Sequence, residues 1–421
     1  VSEKIVITGL GSVNGLGLDV GEMWLRMLAG DSAIRRWRLP GVENFPVQYA
    51  AAVDDAQFAR RFAALADSAW RLERRQRFGL AAAAEALSDA GLDGAMRARC
   101  GVATGSGVPE RDPDDISELL DGQSVRWEAL LQCPNPQPRS LANSNDQLAA
   151  DIGRLHGLCG PALNISTACA GAAHAIGLGM RMIRRGETPL VLAGGADSVL
   201  NLPTMVGLHL LGAPSTSERF GERLCRPFDR DRSGFVAGEG AAMLVLESER
   251  HARQRGARIY AELAGFGSSL DAYRITAPHP QGQGAAAAMR RALQDAQHAA
   301  QDIDCVNAHG TSTPLNDPAE TLAIKQVFAE DQHFRRLAVC ANKSQLGHLI
   351  AAAGAPELIA SVLSIRDNCI PPTLNLENPD PLCDLDYVAG ASRALRVDAV
   401  LSSSFGFGGL NTALVVRRYA H

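Results

Sequence analysis

Cys169 closes the run Leu163-Asn164-Ile165-Ser166-Thr167-Ala168-Cys169, and Ala170-Gly171-Ala172-Ala173-His174 follows it; far downstream stand His309-Gly310-Thr311 and Lys343-Ser344-Gln345-Leu346-Gly347-His348. A thiol is a strong nucleophile once deprotonated, and an imidazole can pass a proton or present a ring N–H near neutral pH. One cysteine and two separated histidines are therefore the parts of an acyl transferase that forms carbon–carbon bonds. The strand-like approach and the small-residue helix beyond it would place the sulfur at a helix N-terminus, where free N–H groups and the helix dipole favour thiolate. The competing readings are an inert buried cysteine and a zinc site. Zinc is disfavoured because the chain has no Cys-x-x-Cys or His-x-x-x-His spacing, and Lys343 would set a positive charge beside the ion.

The elements that must hold these groups follow from the apolar pattern. Strand-like runs at 5–8, 101–104, 190–193 and 242–247 read as one half of an α/β chain, and those at 258–266, 303–307, 337–341, 400–404 and 413–416 as the other, with Ala-rich helical stretches between. His309 follows the 303–308 pattern. His348 follows 339–343 and opens an Ala-rich buried helix over 349–358, so each imidazole lies beyond the C-terminal end of a strand, where α/β sheets gather their catalysts. The charged stretch 248–258 is the changeover, giving a first half, 1–250, with the cysteine and a second, 251–421, with both histidines. Polar 111–128 and Pro-rich 133–138 read as an inserted loop region. No sequence repetition between the halves is visible.

Two lookalikes are set aside. Gly9-Leu10-Gly11 after a strand imitates a dinucleotide fingerprint, but Asn14 occupies the place of its third glycine. Asp229, Asp231, Ser233 and Gly234 imitate a calcium loop whose twelfth position would here be Gly240. Of the 421 residues 46% are hydrophobic and 21% charged, enough for a large core, and the net charge of −5 does not point to nucleic acid. Nine cysteines without paired spacing argue for a reducing, cytoplasmic setting. No apolar run approaches a membrane span, and the chain opens on a strand-like run rather than a signal peptide.

Taken together, the segments resemble the β-ketoacyl-ACP synthases, most closely the elongating synthase II group and its type II polyketide relatives in the thiolase superfamily. The resemblance rests on Val6-Ile7-Thr8-Gly9-Leu10-Gly11, Ser166-Thr167-Ala168-Cys169, Pro227-Phe228-Asp229 with Gly234-Phe235-Val236-Ala237-Gly238-Glu239-Gly240-Ala241, Asn307-Ala308-His309-Gly310-Thr311-Ser312-Thr313-Pro314, Lys343-Ser344 with Gly347-His348, and Ser404-Phe405-Gly406-Phe407-Gly408-Gly409. These occur in the family's order and span nearly the whole chain. The fold so implied is α/β, thiolase-like, a duplicated five-layered αβαβα.

The resemblance also implies a reaction: an acyl group passes from acyl carrier protein to Cys169, malonyl carrier protein loses CO2, and its enolate attacks the thioester. His309 and His348 would stabilise the enolate through their Nε2–H tautomers, and the backbone N–H groups of Cys169 and Phe405 would form the oxyanion hole, each such donor being worth about 3 kcal/mol. Lys343, paired with Glu357, would order the turn of the second histidine. Thr276, Thr311 and Thr313 would bind the pantetheine arm, with Phe407 also in the substrate-binding set. Phe405 would be the gating ring, flanked by Gly406, Gly408 and Gly409, and Asp317 and Glu320 would organise the site. No metal or resident cofactor is implied, since phosphopantetheine rides on the carrier protein.

As partners the resemblance implies acyl- and malonyl-loaded carrier protein and a second copy of the chain, docked through the sheet edge, or a related subunit in a heterodimer; neither nucleic acid nor membrane is expected. An acidic carrier needs a local basic surface, for which Arg60, Arg61, Arg71, Arg74, Arg75 and Arg77 are the candidates. A non-catalytic partner subunit would be marked by loss of the cysteine, which is present. The polar run Asn143-Ser144-Asn145-Asp146-Gln147, Arg274 in place of a frequent His, Asn14-Gly15 and Gln345-Leu346 depart from the elongating pattern. They suggest a specialised synthase, serving a polyketide or polyene pathway.

Overall fold

The protein is described by a computed structural model covering residues 3–39, 41–66, 72–110, 117, 120–122, 124–125 and 143–420. The expected inserted region over 111–128 and 133–138, and Arg71, lie largely or wholly outside these described residues. Within them, one sheet is built from β1 (Ile5–Asn14), β2 (Gly101–Ser106), β3 (Ala162–Ile165), β4 (Leu190–Ser198), β5 (Glu239–Ser248), β6 (Ala261–Leu270), β7 (Cys305–Asn307), β8 (Ala338–Cys340), β9 (Asp386–Tyr387), β10 (Ala399–Gly406) and β11 (Leu410–Arg417). Their spatial order is β9-β8-β7-β10-β11-β6-β1-β5-β4-β2-β3.

That order contains a repeat. From the middle outward, β1-β5-β4-β2-β3 pair antiparallel, antiparallel, parallel, parallel. On the other side β6-β11-β10-β7-β8 do the same, with β9 added in parallel at the edge. The two sides join where Ile5, Val6 and Ile7 meet Leu263, Glu262 and Ala261. The helices that matter here are α1 (Arg74–Asp89), α2 (Gly171–Arg184), α3 (Leu202–Leu210), α4 (Gln283–Ala296), α5 (Asn316–Val327) and α6 (Gly354–Asp367). Helix α1 lies on β1 and β5, and α4 on β6 and β11, as outer layers. Between the sides, α2 and α6 pack on each other and touch strands of both. Helix α6 is buried from Gly354 to Ile365, as a helix apolar on every side must be. Helix, sheet, helix, sheet, helix is the duplicated five-layered αβαβα arrangement.

The glycines taken for a fingerprint turn out to be packing devices. A Cβ at Gly9 would stand 2.3 Å from the Ala86 carbonyl oxygen, and one at Gly11 2.0 Å from that of Ala82, so α1 can lie directly on β1. Gly265 and Gly267 repeat this on β6, where a Cβ would stand 2.2 and 2.1 Å from the carbonyl oxygens of Ala292 and Ala288 in α4. The halves do carry a short sequence repeat, Gly-Leu-Gly and Gly-Phe-Gly, that composition had concealed.

Within the charged stretch 248–258 a short helix, Glu249–Gln254, leads from β5 toward β6. The helix beyond His348 begins at Gly354 rather than 349, after a 3₁₀ turn at Ile350–Ala352. Among the described residues no helix is long and apolar enough to cross a membrane.

Candidate active site

Cys169 sits in a 3₁₀ turn, Ala168–Ala170, wedged between β3 and α2. Ala168 takes φ = +45°, a left-handed conformation that an alanine adopts only under constraint and that turns the chain sharply before the sulfur. The thiol accepts hydrogen bonds from its own N–H and from the N–H of Phe407, and the Lys343 ammonium favours its ionisation. Burial outweighs them. With 6% of the residue exposed, desolvation pushes the thiol up to about 12. The sequence had pointed to a dipole-stabilised thiolate; burial works against it, and the α-helix starts only at Gly171, two residues past the sulfur.

His309 follows β7 directly. Its backbone N–H donates to Glu320 Oε1 at 2.7 Å and that of Gly310 to Oε2 at 2.8 Å, so one buried carboxylate fixes the turn, itself held by the Ser403 hydroxyl at 2.8 Å. Lys343 Nζ lies 3.1 Å from His309 Nδ1 and 2.6 Å from Glu357 Oε1. An ammonium only donates, so Nδ1 is the acceptor and the ring proton is on Nε2.

His348 is clipped to the other half. Its N–H donates to Val236 O at 2.7 Å and its carbonyl accepts from Gly238 N at 2.9 Å, which gives a structural purpose to the Gly234–Ala241 motif. Its Nδ1 accepts from the Ile350 N–H at 3.2 Å, again leaving the proton on Nε2. Burial, then the Lys343 charge, hold both rings well below the usual histidine range, with His348 a further influence on His309. The rings are 5.4 Å apart at 84°.

Cys169, His309 and His348 line one cavity of about 360 Å³ together with Thr276, Thr311, Thr313, Phe405 and Phe407. The Thr311 and Thr313 hydroxyls are 2.9 Å apart. Asp317 Oδ2 accepts from Phe228 N at 2.9 Å, and its carboxyl is raised by burial. Burial likewise raises Glu320, and carries Glu357 to about 7.

Three expectations are corrected. The backbone donor at the sulfur belongs to Phe407, whereas Phe405 lies within β10, paired with Asn411, its ring 5.6 Å from that of His309. The glycines at positive φ, Gly408 at +82° and Gly409 at +75°, directly follow Phe407 rather than Phe405. The Lys343 ammonium reaches the ring of the first histidine, and it is the residue's carbonyl, accepting from Gly347 N at 2.9 Å, that holds the turn of the second. Two arginines of the basic cluster are spent internally: Arg74 pairs with Asp55 and the fully buried Glu239, and Arg75, 2% exposed, pairs with Glu73 at 2.5 Å and donates to Gly107 O. Arg61 pairs with Asp19 at 2.5 Å.

Sequence reasoning passed over Asn307 as a working residue. Its Nδ2 donates to Asn342 Oδ1 at 2.7 Å, Glu357 O at 2.8 Å and Ser361 Oγ at 3.1 Å, tying β7, the Lys343 turn and α6 together. An uncharged amide at the end of an apolar strand was the available signal. Among the described residues no group of three or more His, Cys, Asp or Glu side chains is arranged to hold a metal.

Comparison with known proteins agrees with this geometry. Residues 2–252 match the model of the beta-ketoacyl synthase N-terminal domain and 260–377 that of its C-terminal domain. The chain is 40% identical to 3-oxoacyl-[acyl-carrier-protein] synthase 2 of Coxiella burnetii, covering 99% of this chain and 98% of that one, and 37% identical to the Vibrio harveyi protein of that name, covering 99% of each. Among solved structures it resembles a type II polyketide ketosynthase in complex with its acyl-carrier protein (TM-score 0.86, 30% identity, full coverage of both chains) and a beta-ketoacyl synthase from Burkholderia phymatum (TM-score 0.84, 34% identity, 99% and 100% coverage). A strained cysteine turn facing two Nε2–H imidazoles, on a duplicated α/β scaffold matched end to end, places this chain in the beta-ketoacyl synthase family, among the acyltransferases that condense acyl chains.

Proposed function

We propose that the chain extends acyl groups by decarboxylative condensation with malonyl carrier protein, Cys169, His309 and His348 being the catalytic residues. In the first half-reaction the Cys169 sulfur attacks the acyl thioester, the carrier's pantetheine sulfur leaves, and the Cys169 proton ends on it. In the second, the bond from the malonyl α-carbon to its carboxylate breaks, CO2 departs, and the electron pair forms an enolate whose oxygen accepts from the two Nε2–H groups. The enolate carbon attacks the Cys169 thioester, and the resulting oxyanion lies at the N–H groups of Cys169 and Phe407. Its collapse releases the β-ketoacyl product and the Cys169 thiolate, which takes a proton from water to restore the resting thiol. A barrier to CO2 loss falls only if donors are in place before charge develops.

The observation that carries this reading is that both Nδ1 atoms are already engaged as acceptors, which leaves Nε2–H as the donor of each ring lining the cysteine's cavity. Thr276, Thr311 and Thr313 would hold the pantetheine arm and Phe407 would gate the acyl chain. Lys343, Glu357, Asp317 and Glu320 act as positioning residues. No resident cofactor takes part; the phosphopantetheine arrives on the carrier protein. The working form is a cytoplasmic homodimer, or a heterodimer with a related subunit. The similarity to 3-oxoacyl-[acyl-carrier-protein] synthase 2 proteins and to a polyketide ketosynthase in complex with its carrier protein supports chain elongation in a fatty-acid or polyketide pathway.

The test is incubation with malonyl carrier protein and acyl carrier proteins of graded chain length, with Cys169→Ala alongside. Condensation that disappears in the variant is expected. Condensation unaffected by the change would overturn the nucleophile assignment, and no turnover of any donor by the wild type would favour a non-catalytic partner subunit.

A further inference from the structure

Asp197 is the next-to-last residue of β4, and its carboxylate is buried where the two halves meet, with 1% of the residue exposed. A buried carboxylate is costly unless hydrogen-bonded, and burial carries this one up to about 6. Its partners are backbone donors. Oδ1 accepts from Ser198 N at 2.9 Å and Oδ2 from Ala351 N at 2.9 Å. The chain makes room for it at Gly107, where a Cβ would stand 2.4 Å from Oδ2. The charges of Arg75 and Glu73 also act on it.

Ala351 belongs to the 3₁₀ turn Ile350–Ala352 of the opposite half. Ile350 there has φ = +47°, and a β-branched residue in the left-handed region is strained and persists only where its surroundings impose it. The N–H of that same Ile350 donates to His348 Nδ1. A continuous line of contacts therefore runs from the Asp197 carboxylate to Ala351 N–H, through the strained Ile350, to the imidazole.

We propose that Asp197 is a positioning residue for His348: it clamps the strained turn from across the seam and thereby fixes which nitrogen of His348 carries the proton and how the ring sits in the cavity. The proposal rests on the assignment of enolate stabilisation to His348. Asp197 thus acts on the decarboxylation half-reaction through His348; its charge also disfavours ionisation of the Cys169 thiol, so its removal should not slow acyl transfer.

The experiment separates the two halves in Asp197→Ala and Asp197→Asn. CO2 release from malonyl carrier protein is followed in one assay, and acylation of Cys169 by acyl carrier protein, read by intact mass, in the other. In Asp197→Ala, CO2 release should fall roughly tenfold to a hundredfold, the scale of a small misplacement of a reacting group, while acylation does not fall. Asp197→Asn, which retains one acceptor oxygen, should fall between that variant and wild type. An equal fall in both half-reactions, or undiminished CO2 release, overturns the proposal. Should Asp197→Ala fail to fold, the same comparison in Asp197→Asn decides by the same criterion. Wild-type protein that released no CO2 would overturn the parent reading and this one together, whereas active wild type with unaffected variants would overturn the role of Asp197 alone.

Discussion

A histidine beside a lysine would ordinarily be read as a base waiting for a proton, yet here the lysine prevents it from taking one. Lys343 donates to His309 Nδ1 and adds its charge to the burial that already disfavours imidazolium. Both histidines are thus held neutral as fixed N–H donors. Their folded pKa lies below the unfolded 6.5, so stability is complete above pH 6.5 and is lost progressively as the pH falls from there through the lower folded value, a range in which the unfolded chain takes up protons that the folded chain refuses. In ¹⁵N-labelled protein, His309 and His348 should show the neutral Nε2–H pattern from pH 7.5 down to pH 6. An imidazolium signal from either ring in that window would contradict the donor assignment. In Lys343→Met, His309 should lose its fixed tautomer and its titration should move upward, because a nearby positive charge has gone while burial remains. The cysteine and both histidines were legible because their side-chain chemistry is rare and stands beside strand ends. The Phe407 donor and the Asp197 clamp were not, since they act through backbone N–H groups that any residue supplies. The thiolate expectation failed for a related reason: local sequence shows a helix start but not how dry the surrounding fold will be.

At the level of elements, the position of Cys169 depends on how closely α2 can approach β2. A Cβ at Gly105 would stand 2.2 Å from the Gly171 carbonyl carbon and 2.4 Å from Ala172 N, atoms of the helix start two residues past the sulfur. Gly105→Ala should therefore cost about 1–3 kcal/mol through overpacking. It should also slow acylation of Cys169 more than CO2 release, because it displaces the cysteine turn while the β7 and β8 ends that precede the histidines lie on the other side of the sheet. Equal stability of the variant and wild type in urea unfolding would show that the helix yields without strain. The same close approaches explain which elements could be read in advance. The alternation of apolar residues located most long strands to within a few residues, but β1 was cut short at 8 because Gly9 and Gly11 look like a turn. In the fold they are the bare patch on which α1 rests. The two-residue β9 has no pattern to find, and the turn before α6 was read as helix because alanine gives no sign that its neighbour Ile350 is forced into a left-handed conformation.

Across the whole molecule, the two halves are topological copies but not independent bodies. One continuous apolar core contains Ile5, Ile176 and Leu244 from the first half and Leu263, Phe266, Leu358, Ile359 and Leu414 from the second. The middle helices α2 and α6, which follow the cysteine turn and the second histidine, are each covered partly by strands of the other half. Neither half alone could bury its middle helix, so the catalytic cavity and the shared core should be lost in one step. The chain supplies a probe for each side. All four tryptophans precede residue 130, and the buried Cys305, Cys340 and Cys383 lie in the second half. Under increasing urea, tryptophan emission and the reactivity of those three thiols toward a chromogenic disulfide should change over the same range, as a single cooperative transition requires. Thiols that become reactive well before the tryptophan signal moves would mean that the second half opens by itself. In that case the seam carrying Asp197 and Ala351 would be a docking surface between two bodies rather than the interior of one.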